Sequence, residues 1–354
     1  MINSFGKRLF KNTGAVAGII IIACSVIIAL FAYIISPDTT PNANRMIPEI
    51  GSKKPGFSIQ FLQVKKNNSI QENFFSKIIN GKQDTLTYIP VTNYTIKADS
   101  VIYNKYIDDN IIERKAIALK NVGNPITINV KFYLGTDRFG RDILSRLIIG
   151  TRVSLSVGLI AVIISLTLGI FLGALAGYFK SWVDDVIMWL INVLWSIPTL
   201  LLVFAITLVL GKGFWQVFIA VGLTMWVNVA RLVRGQVMQV KTLEFIEATH
   251  ALGYSNTRII IKHILPNILG PVMVIAASNF ASAIVIEAGL SFLGIGVQPP
   301  QPSWGLMIKE NYNFIITNNP MLALTPGIAI MLLVLAFNLL GNGLRDALNV
   351  KSKL

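Results

Sequence analysis

The chain has 354 residues, of which 53% are hydrophobic and 14% charged, and its mean hydropathy is +0.63. Soluble domains carry about 25% charged residues, so this composition excludes an ordinary water-soluble globule. The net charge of +14 would suit a nucleic-acid partner if Lys and Arg formed a stripe, but they occupy one long polar segment and short loops between apolar runs. That is the positive-inside pattern beside membrane spans, and no nucleic-acid partner is expected.

Residues 1–14 are basic, with Lys7, Arg8 and Lys11. Ala15–Ile35 then runs 21 residues without a charge, a helix roughly 32 Å long that matches a hydrocarbon core of roughly 30 Å. A cleavable signal has an apolar region of about 7–15 residues ending at a small-x-small site. This run is longer and ends in Tyr33-Ile34-Ile35-Ser36-Pro37, so an uncleaved anchor in contact with lipid is expected. Cys24, alone of its kind, lies inside this run; it is expected to be a buried, inert thiol, without an intramolecular disulfide.

Residues 36–135 change character. Lys, Asn, Asp, Thr and Tyr dominate, and the stretches 95–103 and 126–133 alternate apolar with polar residues at a strand period. A small extracytoplasmic insert, part β, is expected here, with Pro37, Pro41, Pro48 and Pro55 marking an irregular approach; the alternative is a partly disordered loop.

Five further apolar runs, Val153–Phe179, Val186–Leu210, Phe214–Ala230, Asn267–Ile286 and Pro320–Leu344, contain no Asp, Glu, Lys or Arg. Backbone groups in lipid must be satisfied internally, so each run is helical. Gly169, Gly173 and Gly177 share one helix face and allow close helix approach. Pro198 and Pro271 mark kinks or breaks. With both termini cytoplasmic, the inner pieces hold Lys7, Arg8, Lys11, Lys180, Arg231, Arg234, Lys241, Arg258, Lys262, Arg345, Lys351 and Lys353, and the short outer loops only Lys212 and Lys309. This asymmetry gives six spans with both ends inside.

The fourth and fifth spans are joined by a polar loop, 231–266. Glu247-Ala248-Thr249-His250-Ala251-Leu252-Gly253 leads through Tyr254–Arg258 to His263-Ile264-Leu265-Pro266. Two amphipathic stretches meet at Gly253, where the absence of a side chain permits a positive φ. Phe245, Ala248, Ala251 and Leu252 fall on one helical face, suited either to a groove on a partner or to the membrane surface. His250 and His263, the only histidines, have no cysteine or carboxylate cluster at ligand spacing, so no metal site is expected.

The Glu-Ala-x-x-x-x-Gly pattern followed by Leu265-Pro266 resembles the coupling motif of ABC importer permeases. More narrowly, the chain resembles the second permease subunit of dipeptide and oligopeptide ABC importers. Leu134-Gly135-Thr136-Asp137-Arg138-Phe139-Gly140-Arg141-Asp142-Ile143-Leu144-Ser145-Arg146, continuing through Gly150-Thr151-Arg152, carries the likeness before the second span. It resumes at Glu287-Ala288-Gly289-Leu290-Ser291-Phe292-Leu293-Gly294, at Pro299-Pro300-Gln301-Pro302-Ser303-Trp304-Gly305, and at Asn338-Leu339-Leu340-Gly341-Asn342-Gly343-Leu344-Arg345-Asp346. Departures from the family pattern are Thr249 for alanine and Asn342 and Asn349 for aspartate, and the resemblance says little about 36–133.

The resemblance implies an all-α membrane protein of the six-helix ABC importer permease type. Its parts would be a tail and first helix (1–35), an insert (36–135) and a five-helix core (136–354). It implies a bacterial inner-membrane location, a homologous permease in a heterodimer, two cytoplasmic ATPase subunits that use ATP, and an extracytoplasmic substrate-binding protein. Glu247, Ala248, Gly253, His263, Leu265 and Pro266 would form the ATPase-coupling loop. Glu247 reads otherwise as a helix-start carboxylate favoured by the helix dipole. The alternating charges Asp137, Arg138, Arg141, Asp142, Arg146 and Arg152 read as an amphipathic interfacial helix held by ion pairs, or as an outer-face segment that gates or receives substrate. Glu287 is a candidate gate or pathway residue, or a solvated carboxylate at the outer end of its span. Peptides are the implied substrates; another small solute such as a nickel chelate is the alternative.

An ion-coupled carrier would place ionisable groups near the bilayer midplane or use inverted repeats, and neither is visible. A membrane-embedded enzyme would need a nucleophile–base pair or metal ligands at depth. A channel would need a charge ring or carbonyl filter. The chain also lacks Gly-x-x-x-x-Gly-Lys-Ser/Thr: Gln83 follows Gly81-Lys82 and Gly213 follows Gly211-Lys212. No cofactor is expected on this chain, and a separate ATPase must supply the energy.

Overall fold

A computed structural model of the chain describes residues 2–348 except 67–72, 110, 212, 317 and 318. Lys212, Asn349, Lys351 and Lys353 lie outside the described residues. The chain divides into two compact units, one of Met1–Val26, Ser154–Gln298 and Ala329–Leu354, the other of Ile27–Val153 and Pro299–Ile328.

In chain order, helices α1 (Ile2–Leu9), α2 (Thr13–Leu30) and α3 (Ala32–Ile35) precede strand β1 (Phe57–Lys65), α4 (Phe74–Asn80), and strands β2 (Leu86–Lys97), β3 (Ser100–Asp108), β4 (Ile111–Ala118) and β5 (Val122–Phe132). Then come α5 (Ile143–Phe179), α6 (Ser181–Trp195), α7 (Thr199–Leu210), α8 (Phe214–Lys241), α9 (Glu244–Ala251), α10 (Asn256–Ile259), α11 (Leu265–Leu293), α12 (Trp304–Asn311) and α13 (Met321–Leu348). Five helical stretches are long and apolar enough to cross a membrane, and six if the pair α6–α7 counts as one span. The protein is thus mainly helical, with a β insert between its first two long apolar helices.

Pro198 breaks the expected run Val186–Leu210. It cannot donate a backbone hydrogen bond, and α6 and α7 meet there at 94°. Pro271 does not interrupt α11, which runs unbroken from Leu265 to Leu293. The irregularity lies upstream, where Ile260–Ile264 form a π-helical turn. Cys24 is exposed on α2 rather than buried, because that helix covers only one side of itself: Gly18 abuts the Ala336 carbonyl of α13.

The helical unit is held by small-residue contacts. A Cβ on Gly173 would sit 2.5 Å from the Ala230 carbonyl oxygen and 2.9 Å from the Val233 Cβ, and one on Gly169 2.4 Å from the Val229 Cβ. The glycine face of α5 therefore lies directly on the backbone of α8, where van der Waals contact must serve because lipid offers no hydrophobic drive between helices. Val229, Val233, Val237 and Val240 of α8 continue this contact into a buried cluster with Ile246, Ile259, Ile264 and Ile268.

The second unit contains an antiparallel sheet ordered β4-β3-β2-β1-β5. β1 alternates its side chains between two cores: Ile59 and Phe61 pack with Ile47, Ile50, Tyr106 and Phe132, and Leu62 packs with Val91, Val101 and Tyr103. The alternating stretch 95–103 is a hairpin, not one strand. β2 and β3 pair from Lys97 and Ser100 across Ala98-Asp99, with Ala98 at φ 46°, a left-handed value suited to a two-residue turn.

Replacing Gly173 tests the α5–α8 contact. Gly173→Leu is expected to lower stability by about 3 kcal/mol or more, the upper part of the overpacking range, with Gly173→Ala less affected. Gly235→Ala, where a Cβ meets nothing within 4 Å, serves as the control. Thermal unfolding in detergent reads all three.

Candidate functional site

The loop after α8 folds as a helical hairpin. α9 begins at Glu244, with Glu244 and Glu247 in its first turn, where the helix dipole favours negative charge. It ends in a Schellman turn: the Tyr254 N–H donates to the Thr249 carbonyl (3.2 Å) and the Gly253 N–H to that of His250 (2.9 Å), with Gly253 at φ 75°. That value is strained for any L side chain.

The hairpin has two faces. Ile246 and Thr249 of α9 and Ile259 of α10 are buried. Phe245, Glu247, Ala248, Ala251, Leu252 and Gly253 are exposed, Leu252 at 70% of its surface. The apolar face that the spacing outlines is therefore the uncovered one. Further on, His263 and Leu265 are half-buried and Pro266 is exposed.

Aromatic and polar contacts fix the hairpin to α5. The Tyr178 hydroxyl donates to Asn256 Oδ1 (2.8 Å) and lies 3.3 Å from His250 Nε2. Lys241 Nζ donates to the Tyr178 carbonyl at 2.6 Å. Tyr254 stacks on His263, with ring centroids 5.7 Å apart, and carries the Arg258 guanidinium 4.0 Å above its ring. Tyr178 therefore joins the hairpin directly to α5.

The charged segment before α5 is not an amphipathic helix. Residues 136–142 form a turn closed by a bridge between Thr136 and Asp142, and the helix starts at Ile143. Of the charges at 137–146, Asp137, Arg141, Asp142 and Arg146 point inward and each finds a partner, whereas Arg138 is exposed and lies over the Phe139 ring. Arg141 Nε bonds Asp137 Oδ2 at 2.6 Å, Arg141 Nη2 bonds Glu310 Oε2 at 2.7 Å, and Arg146 Nη2 reaches the same Glu310 oxygen at 3.2 Å. The Asp137 and both Arg side chains are about 1% exposed, and two acids balance two bases. Asp142 accepts hydrogen bonds from the Ser145 N–H and hydroxyl; burial nevertheless holds its carboxyl above the ordinary aspartate value. Arg152 stands apart, half-buried, its Nη1 donating to the Ile79 carbonyl at 2.7 Å. Glu310 escaped the sequence reading, although it is the only acid between Glu287 and Asp346.

Glu287 is fully buried on α11 rather than solvated. Its Oε1 accepts a hydrogen bond from the Ser291 hydroxyl (2.6 Å), whose oxygen in turn accepts from the Val297 N–H (3.1 Å). It thus braces the turn beyond α11, which a solvated position would not do. A cleft of about 410 Å³ in the helical unit was also missed. Its polar lining includes Asn228 and Asn338; asparagine in an uncharged apolar run is the signal that points to it, since such groups face away from lipid.

Residues 169–353 match the family of binding-protein-dependent transport system inner membrane components, and residues 2–53 match the N-terminal TM domain of oligopeptide transport permease C. The chain is 42% identical to the glutathione transport system permease protein GsiD of Pectobacterium atrosepticum over 62% of this chain and 73% of that protein. It is 43% identical to the dipeptide transport system permease protein DppC of Alkalihalophilus pseudofirmus, over 64% and 74%. It is 38% identical to the oligopeptide transport system permease protein OppC of Bacillus subtilis, over 62% and 72%.

Removing one member of the buried quartet leaves an uncompensated charge, which costs about 3–5 kcal/mol. Glu310→Gln is therefore expected to lower the thermal midpoint sharply, whereas Lys309→Gln beside it changes stability by no more than about 0.5 kcal/mol. A calorimetric or fluorescence melt in detergent checks the contrast.

Proposed function

The chain belongs to the family of binding-protein-dependent transport system inner membrane components, and we propose that it imports small peptides as one half of a two-permease pathway driven by ATP on partner subunits. Membership makes it a multi-pass inner-membrane transport subunit of an ABC importer, not an enzyme, acting with ATPase and substrate-binding proteins. Relatives are named for dipeptides, oligopeptides and glutathione, compounds that share amide links and a free carboxylate, and this supports peptides as cargo. In our reading the second permease is a homologue, and both termini face the cytoplasm.

The observation that carries the coupling role is the uncovered face of the hairpin. Phe245, Ala248, Ala251 and Leu252 stand exposed beside Glu247 and Gly253, while the reverse face is sunk in the α5–α8–α11 core. Such a knob with a rigid root fits a groove on an ATPase subunit. Closure of the ATPase pair would push on α9 and α10, and Tyr178 and Ile264 would pass the displacement to α5 and α11. His263, Leu265 and Pro266 form the joint between the knob and α11.

Gly253→Asp strains the left-handed turn by about 1–2 kcal/mol and sets a carboxylate at the docking apex. ATP-driven uptake of dipeptides and tripeptides into proteoliposomes holding the full transporter is expected to vanish, while the subunit still inserts. Wild-type uptake by this variant would refute the docking assignment. Orientation is checked by thiol labelling in a Cys24→Ser background. Lys97→Cys is expected to react from outside intact spheroplasts, and His250→Cys only after permeabilisation.

A further inference from the structure

The cleft in the helical unit is walled by residues of α6, α7, α8, α11 and α13. Thr199, Thr224, Asn228, Ser282 and Asn338 supply its polar lining, and no residue lining it carries a formal charge. Hydroxyl and carboxamide groups both donate and accept hydrogen bonds, so the wall suits ligand amides. A substrate ammonium finds no carboxylate there.

One cation stands at the edge. Trp195, part of the wall, donates its indole N–H to Asn228 Oδ1 at 3.1 Å, which leaves the Asn228 amino group available. Arg231, three residues along α8 from Asn228 and so on the same helix face, stacks its guanidinium 4.3 Å above the Trp195 ring. Stacking occupies the flat face of a guanidinium and leaves its N–H edge for a bidentate acceptor. Among the described residues no carboxylate takes that edge, and Arg231 is exposed. Arg234, three residues further along the same helix, differs: Asp184 engages both its Nε and Nη2, each at 2.5 Å. One arginine is neutralised within the fold, and the other is held in position but left unneutralised.

Resting on the peptide reading above, we propose that this cleft binds the peptide backbone in transit, its amides and hydroxyls bonding the substrate's peptide groups and Arg231 holding the terminal carboxylate. Neutral contacts of this kind are individually weak, which lets a bound chain leave as well as enter. The carboxylate is the one substrate charge that the site reads.

The test uses the complete transporter, with its binding protein and ATPases, in proteoliposomes, and compares uptake of trialanine with that of its C-terminal amide. The same binding protein serves every variant, so a change in the acid-to-amide ratio belongs to the permease. Arg231→Gln is expected to raise the KM for trialanine about ten-fold, the loss of one charge-assisted hydrogen bond, and to remove most of the preference for the acid. Asn338→Leu is expected to weaken uptake of both compounds alike and to keep the ratio. As an independent reading, Ser282→Cys in a Cys24→Ser background is labelled with a thiol reagent during turnover, and trialanine is expected to slow labelling more than the amide does. An unchanged ratio in Arg231→Gln, or equal protection by the two compounds, would overturn the carboxylate site while leaving peptide import standing. Failure of the unmodified transporter to move either compound would instead overturn the peptide reading and this inference with it.

Discussion

The bilayer core contains no water to satisfy backbone groups, and the rest of the structure follows from that constraint. Each apolar run must close its own hydrogen bonds as a helix, and its lipid-facing side chains cannot carry charge cheaply. The five runs after the insert accordingly contain no Asp, Glu, Lys or Arg. Helices made of such material have no internal source of work, so energy has to enter through a polar connection. In our proposal the hairpin of α9 and α10 is that connection; it is anchored by Ile246, Ile259 and Ile264 and tied to α5 by Tyr178.

The same constraint explains how the helices pack. Without a hydrophobic drive between them, contact must be close, and the glycine face of α5 achieves this against Val229, Ala230 and Val233. Polar groups that face inward then acquire specific duties. Asn228 orients Trp195, and Glu287 supports Ser291 at the turn beyond α11. In the other unit, Asp137, Arg141, Arg146 and Glu310 are buried as a set and neutralise one another. Such a set is not strong stabilisation in itself, but it is costly to break.

Local chemistry accounts for what could be read in advance. Hydropathy located the spans, and Gly253 announced a positive-φ turn between two amphipathic stretches, because both signals depend on residues near each other in the chain. The stretch 95–103 shows where local reading fails. Alternation predicted extended backbone correctly, but a two-residue turn at Ala98-Asp99 keeps the same periodicity, so the hairpin was invisible. The turn at 136–142 misled for a related reason: alternating signs look like helix-face ion pairs, yet Arg141 and Arg146 are satisfied partly by Glu310, 169 residues further on from Arg141.

By itself, the sequence determined that the protein is a bundle of helices built on uncharged apolar runs, carrying a polar hairpin and an insert with strand-like alternation, since those properties follow from composition and short-range spacing. Only tertiary structure decided which face of α9 is left uncovered, that Glu287 is buried, and that Arg231, among the described residues, lacks the carboxylate partner Arg234 has. The reason is physical: burial and ion pairing depend on which distant segments meet, and a single chain position carries no record of its spatial neighbour.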